Sequence, residues 1–214
     1  MSEEAPDGPR ERVLATARRM NAAGINRGSA GNVSARCESG FLITPTGLSY
    51  DEISAADIVT MTLDGGFSGA RKPSSEWRFH RDIYAARPEA GAVVHAHSPF
   101  ATALACMELA IPPFHYMIAR FGGAEVRCAA YATFGSQELS DQALKALAGR
   151  SACLLAHHGM LVVGRDLKQA LSLAVELETL CEQYWRVLQL GEPRLLPDDE
   201  MERVLEKFAT YGQQ

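Results

Sequence analysis

The stretch from residue 73 to residue 97 constrains the fold most, because it joins a helical segment directly to a short apolar strand. Residues 75–86 have helical spacing and are preceded by serines that can cap a helix. Residues 92–97 read Ala-Val-Val-His-Ala-His, an apolar run typical of a buried strand. Side chains two apart on a strand point to the same face. The sequence therefore predicts that His95 and His97 project together from one face of a sheet.

Two imidazoles on one face suggest a metal site, because together they can bind one divalent cation such as zinc, iron or nickel. Two ligands hold a catalytic metal poorly, so further ligands are expected elsewhere in the chain. The best candidates are Glu76, at the start of the predicted helix, and the turn His157-His158-Gly159, which follows a second apolar run. Ordinary, partly buried histidines are the alternative. The spacing alone does not choose between His157 and His158.

Three turns are rich in hydrogen-bond donors, and they lie at residues 28–32, 44–47 and 73–75. Gly28 and Gly31 allow the first turn to point its backbone N–H groups inward, as an anion-binding nest requires. The third turn precedes a helix, whose first N–H groups also attract anions. None of the three turns contains the lysine of a nucleotide-triphosphate loop, so a small phosphate ester is the predicted ligand. Plain tight turns are the alternative.

Helix and strand signals alternate along the chain, and short turns join many of the strands. This pattern predicts an α/β fold in three layers, α/β/α, with helices on both faces of a central, mainly antiparallel sheet. A single domain is expected over residues 1–214, with residues 1–8 disordered. Helices are predicted over 9–23, 75–86, 99–107, 136–148, 167–190 and 198–211, and strands over 41–43, 58–63, 92–97, 126–129, 151–158 and 160–163.

The composition excludes several classes of function. The 214 residues are 47% hydrophobic and 22% charged, and the net charge is −5, which argues against a nucleic-acid partner. No apolar run approaches the length of a bilayer span, and the acidic start of the chain is unlike a secretory signal. The five cysteines are odd in number and far apart, so reduced thiols are expected. A cytoplasmic protein without a membrane or nucleic-acid partner is predicted.

Several motifs, in order and at matching spacing, resemble the class II aldolase/adducin family, and most of all its L-fuculose-1-phosphate aldolase branch. The likeness covers nearly all of the chain after the first helix. The motifs that carry it are Gly28-Ser29-Ala30-Gly31-Asn32-Val33-Ser34, Ile43-Thr44-Pro45-Thr46-Gly47, Pro73-Ser74-Ser75-Glu76, His95-Ala96-His97, Pro113-Phe114-His115-Tyr116-Met117, Tyr131-Ala132-Thr133-Phe134-Gly135 and His158-Gly159.

The resemblance implies one zinc ion per subunit, bound by Glu76, His95, His97 and His158. It implies that Glu76 also acts as base and acid. It further implies that Tyr116 is a second proton donor, supplied by a neighbouring subunit of a homotetramer with active sites at subunit interfaces. Which histidine of the 157–158 pair binds metal rests on the family pattern x-His-Gly.

The resemblance also assigns the remaining substrate contacts. A C-terminal tail with Tyr211 would close over a neighbouring active site. The family more often has threonine at the position of Ser29, and the hydroxyl group is kept. The residues expected to bind the substrate phosphate are Ser29, Asn32, Thr46, Gly47, Ser74 and Ser75.

The implied activity belongs to carbohydrate metabolism. It is reversible retro-aldol cleavage of a ketose 1-phosphate, such as L-fuculose 1-phosphate, to dihydroxyacetone phosphate and a short aldehyde such as L-lactaldehyde. Sibling enzymes are the alternatives: aldolases or dehydratases of 5-deoxypentulose or methylthioribulose phosphates, and L-ribulose-5-phosphate 4-epimerases. A non-catalytic, adducin-like module is disfavoured, because such members would be expected to lose the metal ligands that this chain retains.

Overall fold

The computed structural model describes residues 8–210 and has the predicted alternation of strands and helices. The predictions for residues 1–7 and for Tyr211 lie outside the described part of the chain. The strands are β1 (Asn32–Cys37), β2 (Gly40–Ile43), β3 (Val59–Met61), β4 (Phe67–Ser68), β5 (Ala92–Ala96), β6 (Arg127–Ala129), β7 (Ala152–Leu155) and β8 (Gly159–Gly164). The helices are α1 (Pro9–Ala22), α2 (Trp77–Ala86), α3 (Pro99–Cys106), α4 (Gln137–Ala146), α5 (Leu167–Leu190) and α6 (Asp198–Thr210).

The strands of this described region form an eight-stranded sheet in the order β4-β3-β2-β1-β5-β8-β7-β6. All neighbouring pairs are antiparallel except β6 and β7, which run parallel. The predicted central, mainly antiparallel sheet is therefore confirmed. Strand β5 lies between β1 and β8, so side chains at its end can be reached from both neighbouring strands.

Helices cover both faces of the sheet and bury a hydrophobic core on each side. Helices α1, α3 and α5 pack over one core, and α2 and α4 pack over the other. Strand β5 contributes to both cores, because successive side chains alternate between faces: Val94 lies in the first core and Val93 in the second. Both valines are fully buried. The predicted three-layer α/β/α arrangement is confirmed.

The prediction lacks one central strand, β1. Its sequence, Asn-Val-Ser-Ala-Arg-Cys, has too few apolar residues to resemble a buried strand. In the structure Asn32 is only 2% exposed and Ser34 is fully buried, because hydrogen bonds inside the protein satisfy their polar groups. A prediction based on hydrophobicity therefore missed this strand, because its buried polar side chains are stabilised by specific hydrogen-bond partners.

Helix α2 begins two residues later than predicted, at Trp77, and Glu76 occupies the N-cap position. The predicted serine cap is wrong. The Ser74 hydroxyl accepts a hydrogen bond from the Glu76 backbone N–H at 3.3 Å, which lies before the helix rather than within its first turn. The later start leaves Glu76 at the junction of turn and helix, where it is 5% exposed.

The start of helix α3, directly after His97, is held by Glu178 of helix α5. One carboxylate oxygen, Oε2, accepts hydrogen bonds from the Ser98 hydroxyl (2.6 Å) and the Ala101 N–H (2.9 Å). The other, Oε1, accepts one from the Phe100 N–H (2.8 Å). A carboxylate at a helix N-terminus satisfies unpaired N–H groups and is attracted by the helix dipole. Glu178 therefore ties the segment after β5 to the helical layer.

Glu178→Ala is expected to lower the free energy of unfolding by about 2 kcal/mol, because three donors lose a charged acceptor. Urea unfolding measures the change. The matched control is Glu182→Ala, one turn further along α5, which removes only a surface pair with Arg186. That variant is expected to change stability by less than about 0.5 kcal/mol. Equal losses in the two variants would contradict the role given to Glu178.

Candidate metal centre

Four side chains that the sequence analysis singled out converge at one end of strands β5 and β8. His95 lies on β5 and His97 just after it, His158 just precedes β8, and Glu76 caps helix α2. One ligand atom from each residue lies within 4.8 Å of the others, which is a spacing that a single metal ion can bridge. Antiparallel pairing of β5 with β8 brings the ends of these strands together.

The imidazole nitrogens face one another and the carboxylate. His95 Nε2 lies 3.0 Å from His97 Nε2 and 3.2 Å from Glu76 Oε2. His158 Nε2 lies 3.1 Å from Glu76 Oε1. The three rings stand nearly perpendicular to each other, with centroids 4.7 to 4.9 Å apart. All four side chains therefore direct potential ligand atoms at one small volume.

The donor set fits a divalent cation. His95 Nδ1 lies 2.9 Å from the Met160 carbonyl, which can only accept, so Nδ1 carries the proton and Nε2 presents a lone pair to the centre. Glu76 Oε1 is a buried oxygen with no hydrogen-bond donor among the described residues in suitable geometry. Lone pairs directed at each other at about 3 Å repel unless a cation or proton lies between them. Three imidazoles and a carboxylate suit a transition metal.

The pKa shifts of His97 and Glu76 agree with binding of a metal ion at this centre. Burial and, to a smaller extent, the neighbouring His95 and His158 lower the pKa of His97 to about 4, although Glu76 opposes the shift. Burial raises the pKa of Glu76, but His95 and His158 beside it bring that pKa well below its usual range. At neutral pH the group therefore offers an unprotonated imidazole and an ionised carboxylate, which are the forms that bind metal.

Two glycines allow the segments around the centre to approach closely. A Cβ on Gly159 would lie 2.5 Å from the Ala96 carbonyl oxygen and 3.1 Å from His97 Cδ2. A Cβ on Gly31 would lie 2.4 Å from the His95 carbonyl oxygen. Both distances to oxygen are shorter than real Cβ contacts, so a larger residue would force the strand ends apart.

Asn32, a predicted phosphate ligand, lies beside Glu76. Strand pairing places it opposite His95. Its Nδ2 donates to Glu76 Oε2 at 3.0 Å, and its Oδ1 lies 2.5 Å from the ring nitrogen Nε2 of His80. Both polar ends of the side chain therefore already have protein partners. The buried His80, for which no role was predicted, belongs to the surroundings of the centre.

Two of the three donor-rich turns are adjacent. Pro45 and Pro73 form an isolated bridge, and the Ser74 N–H donates to the Thr44 carbonyl at 3.0 Å. The third turn reaches the same place, because Ala30 lines a cavity of about 280 Å³ together with Ser75 and Glu76. Their predicted role in phosphate binding, assigned to Ser29, Asn32, Thr46, Gly47, Ser74 and Ser75, stays a prediction.

Aromatic side chains, for which no individual role was predicted, also line this cavity. Tyr131 and Phe134 line it and are 59% and 67% exposed. His157 also lines it, in the left-handed backbone region with φ of 54°. The His157 ring packs edge-on against Tyr131, and its Nε2 lies 3.1 Å from Glu108 Oε1. His157 therefore belongs to the rim of the cavity, and His158 belongs to the metal-ligand group.

Tyr116 lies apart from the four converging side chains. It opens a 3₁₀ segment, Tyr116–Phe121, and its side chain is 49% exposed. Its ring stacks on His115, with centroids 4.9 Å apart, and on Phe208 at 6.4 Å. Among the described residues, those that line the cavity around Glu76 do not include Tyr116. A role for Tyr116 in proton transfer thus requires a second copy of the chain.

The chain matches the family described as Class II Aldolase and Adducin N-terminal domain over residues 11–185. It belongs to this family, and its enzyme class is that of the aldolases, which are carbon–carbon lyases. The class II aldolases are metal-dependent, in agreement with the donor set assembled here.

Two relatives and one solved structure show which aldolases this chain is similar to. The chain is 58% identical to a 5-methylthioribulose-1-phosphate/5-deoxyribulose-1-phosphate aldolase of Rhodospirillum rubrum over 203 residues, which cover 95% of this chain and 92% of the relative. It is 45% identical to the L-fuculose phosphate aldolase of Escherichia coli K12 over 201 residues, 94% of each chain. A solved structure of an L-fuculose 1-phosphate aldolase superposes with a TM-score of 0.92 and 38% identity, covering 98% of this chain and all of the other.

Proposed function

We propose that this protein is a zinc-dependent aldolase that cleaves 5-deoxyribulose 1-phosphate and 5-methylthioribulose 1-phosphate. The products are dihydroxyacetone phosphate and acetaldehyde or (methylthio)acetaldehyde. The convergence of Glu76 with three histidines is the observation that carries the reaction type. The 58% identity to an aldolase named for these two substrates supports this choice over L-fuculose 1-phosphate, the substrate expected first.

The reaction breaks the bond between C3 and C4 of the ketose and leaves an electron pair on C3. Glu76, His95, His97 and His158 would hold a zinc ion, which would supply Lewis-acid stabilisation of that negative charge. The proton of the C4 hydroxyl must leave as the aldehyde forms, and C3 must gain a proton. Two proton-transferring groups of the protein are therefore needed.

Glu76 is suited to the proton at C3. Its carboxylate is buried and lies within the group of histidines, so it can reach a substrate atom bound there. Burial makes the pKa of a carboxylate respond strongly to the charges around it, as acid–base catalysis requires. Tyr116 of a neighbouring subunit is assigned the proton at the C4 oxygen, which makes a homotetramer with shared sites part of the proposal.

Two groups of residues around the ligand group suit the two ends of the substrate. The adjacent turns at 44–47 and 73–75 supply hydroxyl and N–H donors for the phosphate. Tyr131 and Phe134 offer exposed aromatic surface for the other end. A methyl group buries apolar area there, and a thioether adds favourable sulfur–aromatic contacts. The C-terminal tail with Tyr211 is assigned to closing the site of a neighbouring subunit.

We place the enzyme in the cytoplasm, where its five free cysteines would stay reduced. Within residues 8–210, no helix combines the length and the apolar character needed to cross a membrane. The partner in the reaction is a phosphorylated sugar, and the proposal includes neither a nucleic acid nor a membrane.

Turnover of a panel of ketose 1-phosphates, coupled to detection of dihydroxyacetone phosphate, tests the proposed function. We expect kcat/KM to be highest for the 5-deoxy and 5-methylthio compounds, and about 10- to 100-fold lower for L-fuculose 1-phosphate, whose aldehyde part carries an extra hydroxyl. A higher kcat/KM for L-fuculose 1-phosphate than for the 5-deoxy and 5-methylthio compounds would favour L-fuculose 1-phosphate as the substrate. Product without dihydroxyacetone phosphate would contradict aldolase chemistry, since epimerisation yields no fragments and dehydration yields a diketone.

Tyr116→Phe is expected to lower kcat by roughly 10²-fold or more, because the C4 oxygen loses its proton partner. Folding and zinc content are expected to stay normal, because the ring is half exposed and its packing is kept. Mixed oligomers of Tyr116→Phe and Glu76→Gln subunits should recover part of the activity, since some sites then combine both native residues. An unchanged rate in Tyr116→Phe would remove this residue from the mechanism.

A further inference from the structure

A chain of hydrogen-bonded polar side chains runs from Glu76 into the core between the sheet and helix α2. Glu76 Oε2 lies 3.0 Å from Asn32 Nδ2, and Asn32 Oδ1 lies 2.5 Å from His80 Nε2. His80 Nδ1 lies 2.7 Å from Ser34 Oγ, which lies 2.8 Å from the Tyr84 hydroxyl. Each of these side chains is at most 5% exposed. The contacts form an unbroken path of four hydrogen bonds.

The periodicities of strand and helix produce this alignment. Asn32 and Ser34 are two apart on β1, so they point to the same face of the sheet. His80 and Tyr84 are four apart on α2, so they lie on the same side of the helix. The helix packs on the sheet with these two pairs facing each other.

The ionised Glu76 at one end and a singly protonated His80 ring determine the direction of every hydrogen bond in the path. An ionised Glu76 can only accept, so the Asn32 amide must present its NH₂ group to the carboxylate and its carbonyl oxygen to His80. His80 must then donate from Nε2. With one proton on the ring, Nδ1 accepts from the Ser34 hydroxyl, which in turn accepts from Tyr84. All four hydrogens point toward Glu76.

A single proton on His80 agrees with its surroundings. The ring is fully buried, and charging it there would cost solvation energy. Burial and, to a smaller extent, the nearby His95 lower the pKa of His80 to about 3, and Glu76 only partly opposes the shift. The neutral ring carries its hydrogen on one nitrogen only. That nitrogen is Nε2, because it faces the Asn32 carbonyl oxygen, which can only accept.

We propose that His80 is a positioning residue, which locks the Asn32 amide with its NH₂ group toward Glu76 and so aims the carboxylate at the three histidines. If the amide turned over, the Asn32 carbonyl oxygen would face Glu76 Oε2 at about 3 Å, and two acceptors would repel each other. Without the His80 hydrogen bond, the amide loses one of the two contacts that hold it in this orientation and is held by Glu76 alone. The functional consequence rests on the proposed role of Glu76 in proton transfer.

The tautomer of His80 is the first test, and it does not depend on activity. Two-bond proton–nitrogen correlation spectra of the ¹⁵N-histidine-labelled, zinc-loaded wild-type protein report which ring nitrogen carries hydrogen. The His80 signals are assigned by their loss in His80→Gln. We expect the Nε2–H form. An Nδ1–H form or a doubly protonated ring would overturn the proposal.

Two substitutions at His80 are the second test. His80→Leu removes the donor to Asn32 and is expected to lower kcat by about 10- to 100-fold with a KM within about threefold of wild type. His80→Gln can still donate from its amide nitrogen, so it is expected to recover kcat to within about threefold of wild type. Rates are expressed per zinc bound, and thermal unfolding is measured for each variant. Equal kcat in both variants, with only stability lowered, would mean a purely structural role and overturn the proposal.

The possible failures are distinguishable. If His80→Leu does not fold, the tautomer of His80 and the kcat of His80→Gln still test the positioning role. A kcat of His80→Gln reduced about 10-fold or more would overturn the proposal. If Glu76→Gln keeps its rate, the proposed function of Glu76 fails, whereas the tautomer test of the hydrogen-bond path is unaffected. A native rate in His80→Leu overturns only the positioning role.

Discussion

Replacing Glu76 with glutamine is expected to lower kcat by roughly 10²- to 10⁴-fold, because an amide of nearly the same shape cannot exchange a proton with C3. The substitution keeps an oxygen that can face the histidines, so most of the metal affinity and the fold should remain. Steady-state turnover, zinc content and thermal unfolding of the same preparations measure the three effects separately.

Glu125→Gln is the matched control, because the Glu125 carboxylate pairs with Arg127 at the surface and lines none of the metal-site cavity among the described residues. Its kcat should equal that of the wild type. If Glu76→Gln turned over at a near-native rate with zinc bound, the carboxylate would be a ligand only. Proton transfer at C3 would then have to be assigned to another group.

His158→Ala is expected to abolish tight zinc binding, whereas His157→Ala is expected to retain it. The two histidines are neighbours in sequence, but only His158 joins Glu76, His95 and His97 in the ligand group. A metal present at 100 times its dissociation constant stabilises the folded state by about 2.7 kcal/mol. This metal-dependent increment should be present in the wild type and in His157→Ala, and absent in His158→Ala.

Zinc content after dialysis and thermal unfolding with and without a chelator measure the difference between the two variants. His157→Ala is the matched control for His158→Ala, because it also removes one imidazole near the site but no predicted ligand. Zinc retained at full stoichiometry by His158→Ala would contradict the ligand assignment. A chelator that left turnover of the wild type unchanged would contradict metal dependence altogether.

Much of the fold could be predicted from local patterns. Short continuous apolar runs marked β5 and β8, and helical periodicity with glycine and proline at the ends marked α1 and α5. The strand β1 could not be found in this way, because two of its three buried residues, Asn32 and Ser34, are polar. Asn32 and Ser34 are buried by virtue of partners on helix α2, which is more than forty residues away in the chain.

The candidate site shows the same division between local and distant information. The spacing of His95 and His97 predicted their common direction, since strand geometry is local. The serine cap of α2 was predicted by propensity and is wrong, because Ser74 bonds instead to the N–H of Glu76 just before the helix. The roles proposed for Tyr131 and His80 could not be predicted from residue type and spacing. They depend on which residues lie beside these side chains in the folded protein.

The sequence by itself determined the period, length and order of the elements, and hence an antiparallel sheet between two layers of helices. It also determined the kinds of ligand atom available. Tertiary structure alone decided that Glu76 and His158, eighty-two positions apart, meet at 3.1 Å, and that Asn32 reaches both Glu76 and His80. The physical reason is that backbone periodicity acts over a few residues, whereas contacts between ligand atoms depend on strand register and helix packing, which the whole chain sets together.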